Sequence, residues 1–205
     1  MKKVLLFFVL GALLVSCSDK LTTSKAEKLI DEKLKEKPVE KYVTLKTGDS
    51  VKFYVSNGNK AEIEAYESLQ KEGFIKMDLI DQYEDYYPNS MYYIYSVQLT
   101  DKGKKCVKDT QKSSDGKYTE NKIMSCNATL DKVEEIYIAP NINMAEARVS
   151  FKIEKTPFVV LDDDYKYFLE KDIIPGVKMG FQKGEKNGWQ VMGGWQVMGI
   201  KVWYN

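Results

Sequence analysis

AEARVSFKIE, at 145–154, determines which kind of fold this chain can adopt. Apolar side chains alternate here with charged or polar ones, and a period of two is that of a β-strand with one face buried and the other in water. Such strands are typical of antiparallel sheets, because strands of parallel sheets are usually covered on both faces. Val177, Met179 and Phe181 repeat the alternation. We therefore predict a mostly antiparallel sheet for the C-terminal part of the chain.

Toward the N-terminus the patterns indicate helices and short strands. A helix is predicted from Ser24, which forms a capping box with Glu27, to the residues before Pro38. An apolar stripe predicts a second helix over 61–73. Between the two helices, 42–55 has the composition of two strands joined by a hairpin turn, Thr-Gly-Asp-Ser.

Residues 66–105 combine a helix, two strands and a closing turn in an order that is found in a known family. YESLQKEGFI at 66–75 leads into a strand, a second strand covers 92–98, and LTDKGKK follows at 99–105. This resembles the second half of a winged-helix domain, in which a helix ends in Glu-Gly-hydrophobic, two strands form the wing and Leu-Thr-x-x-Gly-Lys closes it. The resemblance implies the shape but not DNA binding, because 38–57 has strand composition where the DNA-binding members have a helix.

Together these patterns predict the α+β class. The N-terminal lobe, 24–107, is expected to be winged-helix-like, and 118–205 is expected to form a mostly antiparallel β-sheet lobe. The polar residues 108–117 are predicted to be a linker. Within the second lobe, 162–171 could be a short helix that an aspartate caps.

The sequence GWQVMG occurs twice in succession, at 188–193 and 194–199. Six residues are too few for a repeat fold. One interpretation is a duplication in which the extra copy is a bulge or a protruding hairpin, and in which 195–203 form the final strand. The other is a hairpin about Gly193-Gly194 that pairs the copies, although neither face of that hairpin would be uniformly apolar. We favour the duplication.

The first nineteen residues, MKKVLLFFVLGALLVSCSD, have the basic start and the short apolar run of a secretory signal. The residues Leu14-Val15-Ser16-Cys17 resemble the lipobox of bacterial lipoproteins. The resemblance, which is to Bacteroidetes-type envelope lipoproteins of uncharacterised function, implies a signal peptide at 1–16, a diacylglycerol on the thiol of Cys17 and a tether at 17–23. It also implies a cell-envelope location with the lipid as the contact to the membrane. Ser18 stands where an aspartate would favour the inner membrane, so the outer membrane is expected.

Composition excludes several kinds of function. The chain contains no histidine, which removes histidine-based triads, general bases and metal ligands. Cleavage after 1–16 would leave 29 basic and 30 acidic residues, so we expect no nucleic-acid partner. No cofactor motif is present, and we predict none. After lipidation of Cys17, the remaining cysteines are Cys106 and Cys126; they could form a disulfide outside the cytoplasm, or they could be two separately buried thiols.

Six tyrosines crowd into one short segment, and they are the strongest binding signal in the sequence. They are Tyr83, Tyr86, Tyr87, Tyr92, Tyr93 and Tyr95. Exposed tyrosines can stack on sugars or hold a peptide, because each has an apolar body and a polar tip. The other interpretation, which we favour for these residues, is that they pack the strands, in which tyrosine is common.

Catalytic patterns are weaker. Ser-x-x-Lys occurs at 68–71 and 114–117, but the Lys-Thr-Gly element at 46–48 precedes both, which is the wrong order for penicillin-binding enzymes. Asp162-Asp163-Asp164 lacks the spacing of a calcium loop. We therefore expect a binding or assembly module that contacts an envelope protein or glycan. The alternative is a carboxylate-dependent hydrolase acting on envelope or extracellular polymers, which would need two convergent acids in a cleft.

The lipobox generates the first test. Replacement of the lipid-bearing residue, Cys17→Ala, should abolish incorporation of labelled palmitate and release the protein from its wild-type membrane fraction, because the thiol is the site of attachment. Fractionation of cells that express each form measures this. Identical fractionation of the two forms would contradict the lipoprotein interpretation.

Overall fold

The computed structural model describes residues 20–164 and 171–202. The elements are, in order, α1 (Thr23–Glu36), β1 (Val39–Ser56), α2 (Ala61–Lys71), β2 (Ile75–Glu84), β3 (Ser90–Leu99), α3 (Asp101–Lys104), β4 (Val107–Lys112), β5 (Thr119–Ile138), β6 (Met144–Lys155), a 3-10 helix (Pro157–Leu161), β7 (Ile173–Gly184), β8 (Gly188–Val191), β9 (Trp195–Val197) and β10 (Ile200–Val202). The predicted signal peptide, Cys17 and Trp203 lie outside the described residues, as does most of the helix predicted over 162–171.

One antiparallel sheet contains most of the strands. Its order is β2-β3-β1-β5-β6-β7-β8, with β4 also paired to β5, while β9 and β10 form a separate two-stranded sheet. The fold is therefore of the α+β class, mostly antiparallel sheet with a helix at the start of the described chain, as predicted.

The alternation at 145–154 has the predicted consequence. In β6 Ala145, Ala147, Val149, Phe151 and Ile153 are all buried, and most of the residues between them are exposed. Ser150 is the exception: it is buried, it lies beside a register shift in the pairing with β5, and its hydroxyl donates a 2.8 Å hydrogen bond to Asp131. Local irregularity of pairing is not visible in the alternation itself.

The hairpin predicted within 42–55 is wrong. The segment lies in one long strand, β1, which pairs with β5 from Val39 to Thr47 and with β3 from Gly48 to Ser56. Thr-Gly-Asp-Ser marks the exchange of partners instead of a turn. Gly48 has a φ of +153°, and a Cβ there would lie 3.0 Å from the carbonyl oxygen of Lys117, so the site needs a residue without a side chain.

The helix at the N-terminus ends as predicted but begins earlier. Thr22, not Ser24, is the cap, because its side chain accepts a hydrogen bond from the backbone N–H of Lys25. The buried face of α1, which contains Ala26 and Ile30, packs with the residues of β5 to β8.

Two hydrophobic clusters form the core, and they do not follow the predicted lobes. The cluster on β5 to β8 includes α1, which belongs to the first predicted lobe. The cluster under α2 includes Ile123 and Phe158, which belong to the second. The first part of the predicted linker 108–117 lies in β4, which pairs with β5. Each hydrophobic cluster therefore contains residues from both predicted lobes, and one continuous sheet runs through the two clusters.

The two copies of GWQVMG do not pair with each other, and neither protrudes. β8 pairs with β7 and β9 pairs with β10, and the tryptophan and valine of both copies are buried. Met198 and Gly199, both at positive φ, turn the chain between β9 and β10, so the single final strand predicted for 195–203 is divided. Both copies therefore contribute to the core.

A set of backbone contacts connects the end of α2 to the turn after β3. The backbone N–H of Thr100 donates to the carbonyl of Phe74 at 3.1 Å, and its hydroxyl donates to the carbonyl of Gly73 at 2.8 Å. The same hydroxyl accepts from the N–H of Gly103 at 3.1 Å. A Cβ on Gly103 would lie only 2.1 Å from the oxygen of Phe74. The glycine of Leu-Thr-x-x-Gly-Lys is therefore required by close backbone contact.

This contact gives a prediction. Gly103→Ala should lower the free energy of unfolding by about 1 to 3 kcal/mol, because the added methyl group must displace backbone atoms. Denaturant unfolding is the measurement. Gly184→Ala is the matched control, since a Cβ there has no atom nearer than 3.8 Å. Equal losses in the two variants would contradict the packing argument.

Candidate functional site

The register of β1, β2 and β3 sorts the predicted tyrosines into three groups. Tyr83 and Tyr92 are directly paired, and Tyr92 also pairs with Tyr54, so all three side chains lie on one face of the sheet. Tyr93 and Tyr95 lie on the opposite face and pack against the cluster under α2. Tyr86 and Tyr87 lie between β2 and β3 and contact each other edge to face.

The first group forms a contiguous exposed surface. The ring centroids of Tyr54 and Tyr92 are 5.0 Å apart, and those of Tyr83 and Tyr92 are 5.3 Å apart. The ammonium of Lys52 lies 3.7 Å from the centroid of Tyr92, within the range of a cation–π contact. We call Lys52, Tyr54, Tyr83 and Tyr92 the tyrosine face.

The polar atoms of the tyrosine face are also organised. The hydroxyl of Tyr54 lies 3.1 Å from that of Ser90, to which it donates. A hydrogen bond with Tyr83 raises the pKa of the Lys52 ammonium above the ordinary value for lysine, which is itself far above neutral pH. The surface therefore offers aromatic rings, hydroxyl groups and one positive charge.

Sequence reasoning identified only part of this surface. Tyr93 and Tyr95 follow the packing alternative, and Tyr95 contacts Phe53 at 5.6 Å between ring centroids. Tyr54 and Lys52 were missed. The available signal was the alternation in β1, where Val51, Phe53 and Val55 are buried and the residues between them must face the other way.

A cleft of about 970 Å³ lies between α2 and the 3-10 helix, and acidic residues line it. The ammonium of Lys41 lies 2.6 Å from Asp162 Oδ1 and 2.9 Å from Asp164 Oδ2. Asp162 also accepts from the hydroxyl of Ser125 at 3.3 Å and from the backbone N–H of Asp164 at 3.0 Å. The side chain of Asp162 is only 2% exposed, so these partners compensate for the burial of its charge.

The ammonium of Lys41 is stabilised in its charged form by the two carboxylates that it contacts. Partial burial lowers the pKa of Lys41, but its hydrogen bonds and charge attraction to Asp162 and Asp164 outweigh this, and the pKa lies above 10.5. A raised lysine pKa means that the pair stabilises the fold at neutral pH and loses its contribution as the pH rises above about 10.5. Near the cleft, the hydrogen bond from Tyr42 to Glu40 is the main cause that raises the pKa of that tyrosine to about 12.

Cys106 and Cys126 are separate free thiols, of which Cys126 is buried and Cys106 is only half-buried. The sulfur of Cys126 lies 3.5 Å from that of Met198 in one cluster, whereas Cys106 packs against the other.

Across 20–164 and 171–202, no group of three or more acidic or sulfur ligands is placed to hold a metal ion. In the same ranges, no helix is both long and apolar enough to span a bilayer.

Comparison of the chain with protein-family models, with characterised proteins and with solved structures gives no match. The function must therefore be argued from the geometry of the chain itself.

The buried pair generates a prediction. Lys41→Met should lower the free energy of unfolding by about 3 to 5 kcal/mol, because Asp162 then stays buried without its cation. Lys155→Met is the matched control: Lys155 is similarly shielded, with 21% of its side chain exposed, but its partner Asp172 is 83% exposed. Denaturant unfolding at pH 7 should show a much smaller loss for the control, and equal losses would contradict this.

Proposed function

We propose that this protein is a lipid-anchored component of the cell envelope, and that it acts as a binding or assembly module through the tyrosine face. The observation that carries the proposal is the contact of two exposed tyrosine rings, those of Tyr54 and Tyr83, with the half-buried ring of Tyr92, which Lys52 covers. Tyrosine and tryptophan supply much of the energy at protein interfaces, because their rings bury a large area at little cost in entropy.

The position of this face in the sheet supports the proposal. β2 and β3 lie at one end of the strand order, while Leu21, at the start of the described chain, packs in the cluster at the other end. A tether that leads to Cys17 would therefore leave the sheet far from the tyrosine face. Such an arrangement presents the face to a partner that lies away from the membrane surface.

A hydrolase has less in its favour. Three acids that line the cleft beside α2 form ion pairs: Asp162 and Asp164 with Lys41, and Glu62 with Lys46. A neighbouring ammonium favours the charged form of a carboxylate, and this disfavours the role of general acid that a hydrolase needs from one of its two acids. We therefore propose the binding module alone, with an envelope protein or a glycan as its partner and without nucleic acid.

We also infer that α2, β2, β3 and α3 have the shape of the second half of a winged-helix domain. The support is the order of these elements and the contacts of Thr100 and Gly103 with Phe74. In this proposal the wing is the hairpin of β2 and β3, and it serves as the platform for the tyrosine face.

A crosslinking experiment tests the binding proposal. A photoreactive benzoylphenylalanine in place of Tyr54 should yield a discrete adduct in intact cells, detected as a protein band or, after protease digestion, as a glycan-modified peptide. Tyr92→Ala should weaken capture by about 5- to 30-fold, since an aromatic hot spot contributes about 1 to 2 kcal/mol.

The control places the same photoreactive residue at Lys108, which is exposed on β4. No adduct at Tyr54, or the same set of adducts at both positions, would show that the tyrosine face has no specific partner. An unchanged circular dichroism spectrum of Tyr92→Ala is required, so that loss of capture reports on the surface and not on folding.

A further inference from the structure

The turn between β5 and β6 exposes a group of large apolar side chains. Tyr137 is 65% exposed, Ile142 is 57% exposed, and Ile138 and Met144 are each about 40% exposed. We call these four residues the apolar tip. Tyr137 pairs with Glu146 and Ile138 with Ala145, so their side chains lie on opposite faces of the hairpin. Because the apolar side chains surround the end of the hairpin, the sheet itself cannot bury them.

The apolar tip has a defined conformation. The backbone N–H of Ala139 donates to the carbonyl of Met144 at 3.1 Å, which closes the turn, and Asn141 has a left-handed φ of +71°. The backbone N–H of Lys183 donates to the carbonyl of Asn143 at 2.8 Å and so joins the turn to β7. An apolar surface held in place in this way loses little entropy when it is buried.

The apolar tip lies at the same end of the sheet as the start of α1. Val39, which follows α1, pairs with Ala128, whereas Glu27, in the second turn of α1, lies 3.4 Å from the backbone N–H of Val133. Moving backward along α1 therefore means moving along β5 toward Ile138. Along α1, the cap at Thr22 lies about 7 Å beyond Glu27 in this direction. Along β5, Tyr137 lies about 13 Å beyond Val133 in the same direction.

The length of chain before the described residues limits where the lipid can be. Cys17 precedes Lys20 by three residues, and a fully extended chain of that length spans at most about 11 Å. A diacylglycerol on Cys17 would thus hold the membrane surface close to the start of α1. The apolar tip would then face the bilayer at short range.

We propose that the apolar tip is a second membrane contact, which inserts into the lipid surface that holds Cys17. This inference rests on the lipid anchor proposed above. Ile142 and Met144 supply apolar side chains for the acyl region, and Tyr137 is of the type that sits at the level of the headgroups. The two chains of a diacylglycerol would attach the protein stably by themselves, and a second apolar contact would fix the orientation of the domain on the lipid surface.

The charges at this end are compatible with a lipid surface. Lys20 precedes α1, Lys183 lies near the end of β7, and the turn between β7 and β8 adds Lys186 together with Glu185, while Glu146 lies opposite Tyr137. Lysines that adjoin an apolar contact are attracted to anionic headgroups. The tyrosine face lies near the far end of β1, with Tyr54 about 50 Å along the strand from Val39, and would be directed away from the lipid.

A fluorescence experiment on the full lipoprotein tests the proposal. The dye NBD is attached at Ile142→Cys in a Cys106→Ser background, because Cys126 is buried and the thiol of Cys17 would be occupied by lipid. The protein is reconstituted into vesicles of phosphatidylethanolamine and phosphatidylglycerol. We expect a blue shift of the emission maximum, and a loss of intensity when the vesicles contain nitroxide-labelled lipid.

The matched control is Tyr87→Cys in the same background, an exposed aromatic position in the β2–β3 hairpin at the opposite end of the sheet. It should show emission typical of water and no quenching. Water-like emission from Ile142→Cys, a blue shift that nitroxide lipid does not quench (burial against a second copy), or equal quenching at both positions would each overturn the proposal. Fractionation of wild type beside Cys17→Ala reports separately on the anchor, so failure of the anchor and failure of the apolar tip are distinguished.

Discussion

The fold depends on β1, because this strand connects the two halves of the sheet. Its first half pairs with β5 and its second half with β3. Val39 packs in the cluster on β5 to β8, whereas Leu45 and Phe53 pack in the cluster under α2. A slip of one residue in either pairing would turn the apolar side chains of that half into water, so the two halves must form in one register.

This dependence explains which features the sequence predicts. The alternation in β6 is a local pattern, and it is sufficient to predict a half-buried antiparallel strand. The continuity of β1 is not local, since Thr-Gly-Asp-Ser has the composition of a turn and only the strands on either side hold it extended. The repeated GWQVMG is a similar case: identical sequences lie in different sheets because β8 has β7 beside it, while β9 has β10.

The candidate site shows the same limit. Composition identifies a crowd of tyrosines, but their division between two faces depends on the pairing of β1, β2 and β3. Tyr93 and Tyr95 differ from Tyr92 only by position along one strand, yet they contribute to the core whereas Tyr92 contributes to the surface. Tyr54 is distant in sequence and joins the tyrosine face only through its pairing with Tyr92. Strand register therefore determines which tyrosines belong to the tyrosine face, and amino-acid composition alone does not predict strand register.

The two exposed apolar surfaces have different physical characters, and this difference bears on what each can contact. The tyrosine face contains hydroxyl groups, aromatic rings and a cation, a combination that can form hydrogen bonds and stacking contacts with a polar partner. The apolar tip has one hydroxyl, that of Tyr137; its other members, Ile138, Ile142 and Met144, offer almost no hydrogen bonds and are therefore better matched to hydrocarbon. Because β1 and β5 are long and antiparallel, they hold these surfaces at opposite ends of a single sheet. In the proposed arrangement the domain would stay attached to lipid at one end while it contacts a partner at the other, and no movement between domains would be needed.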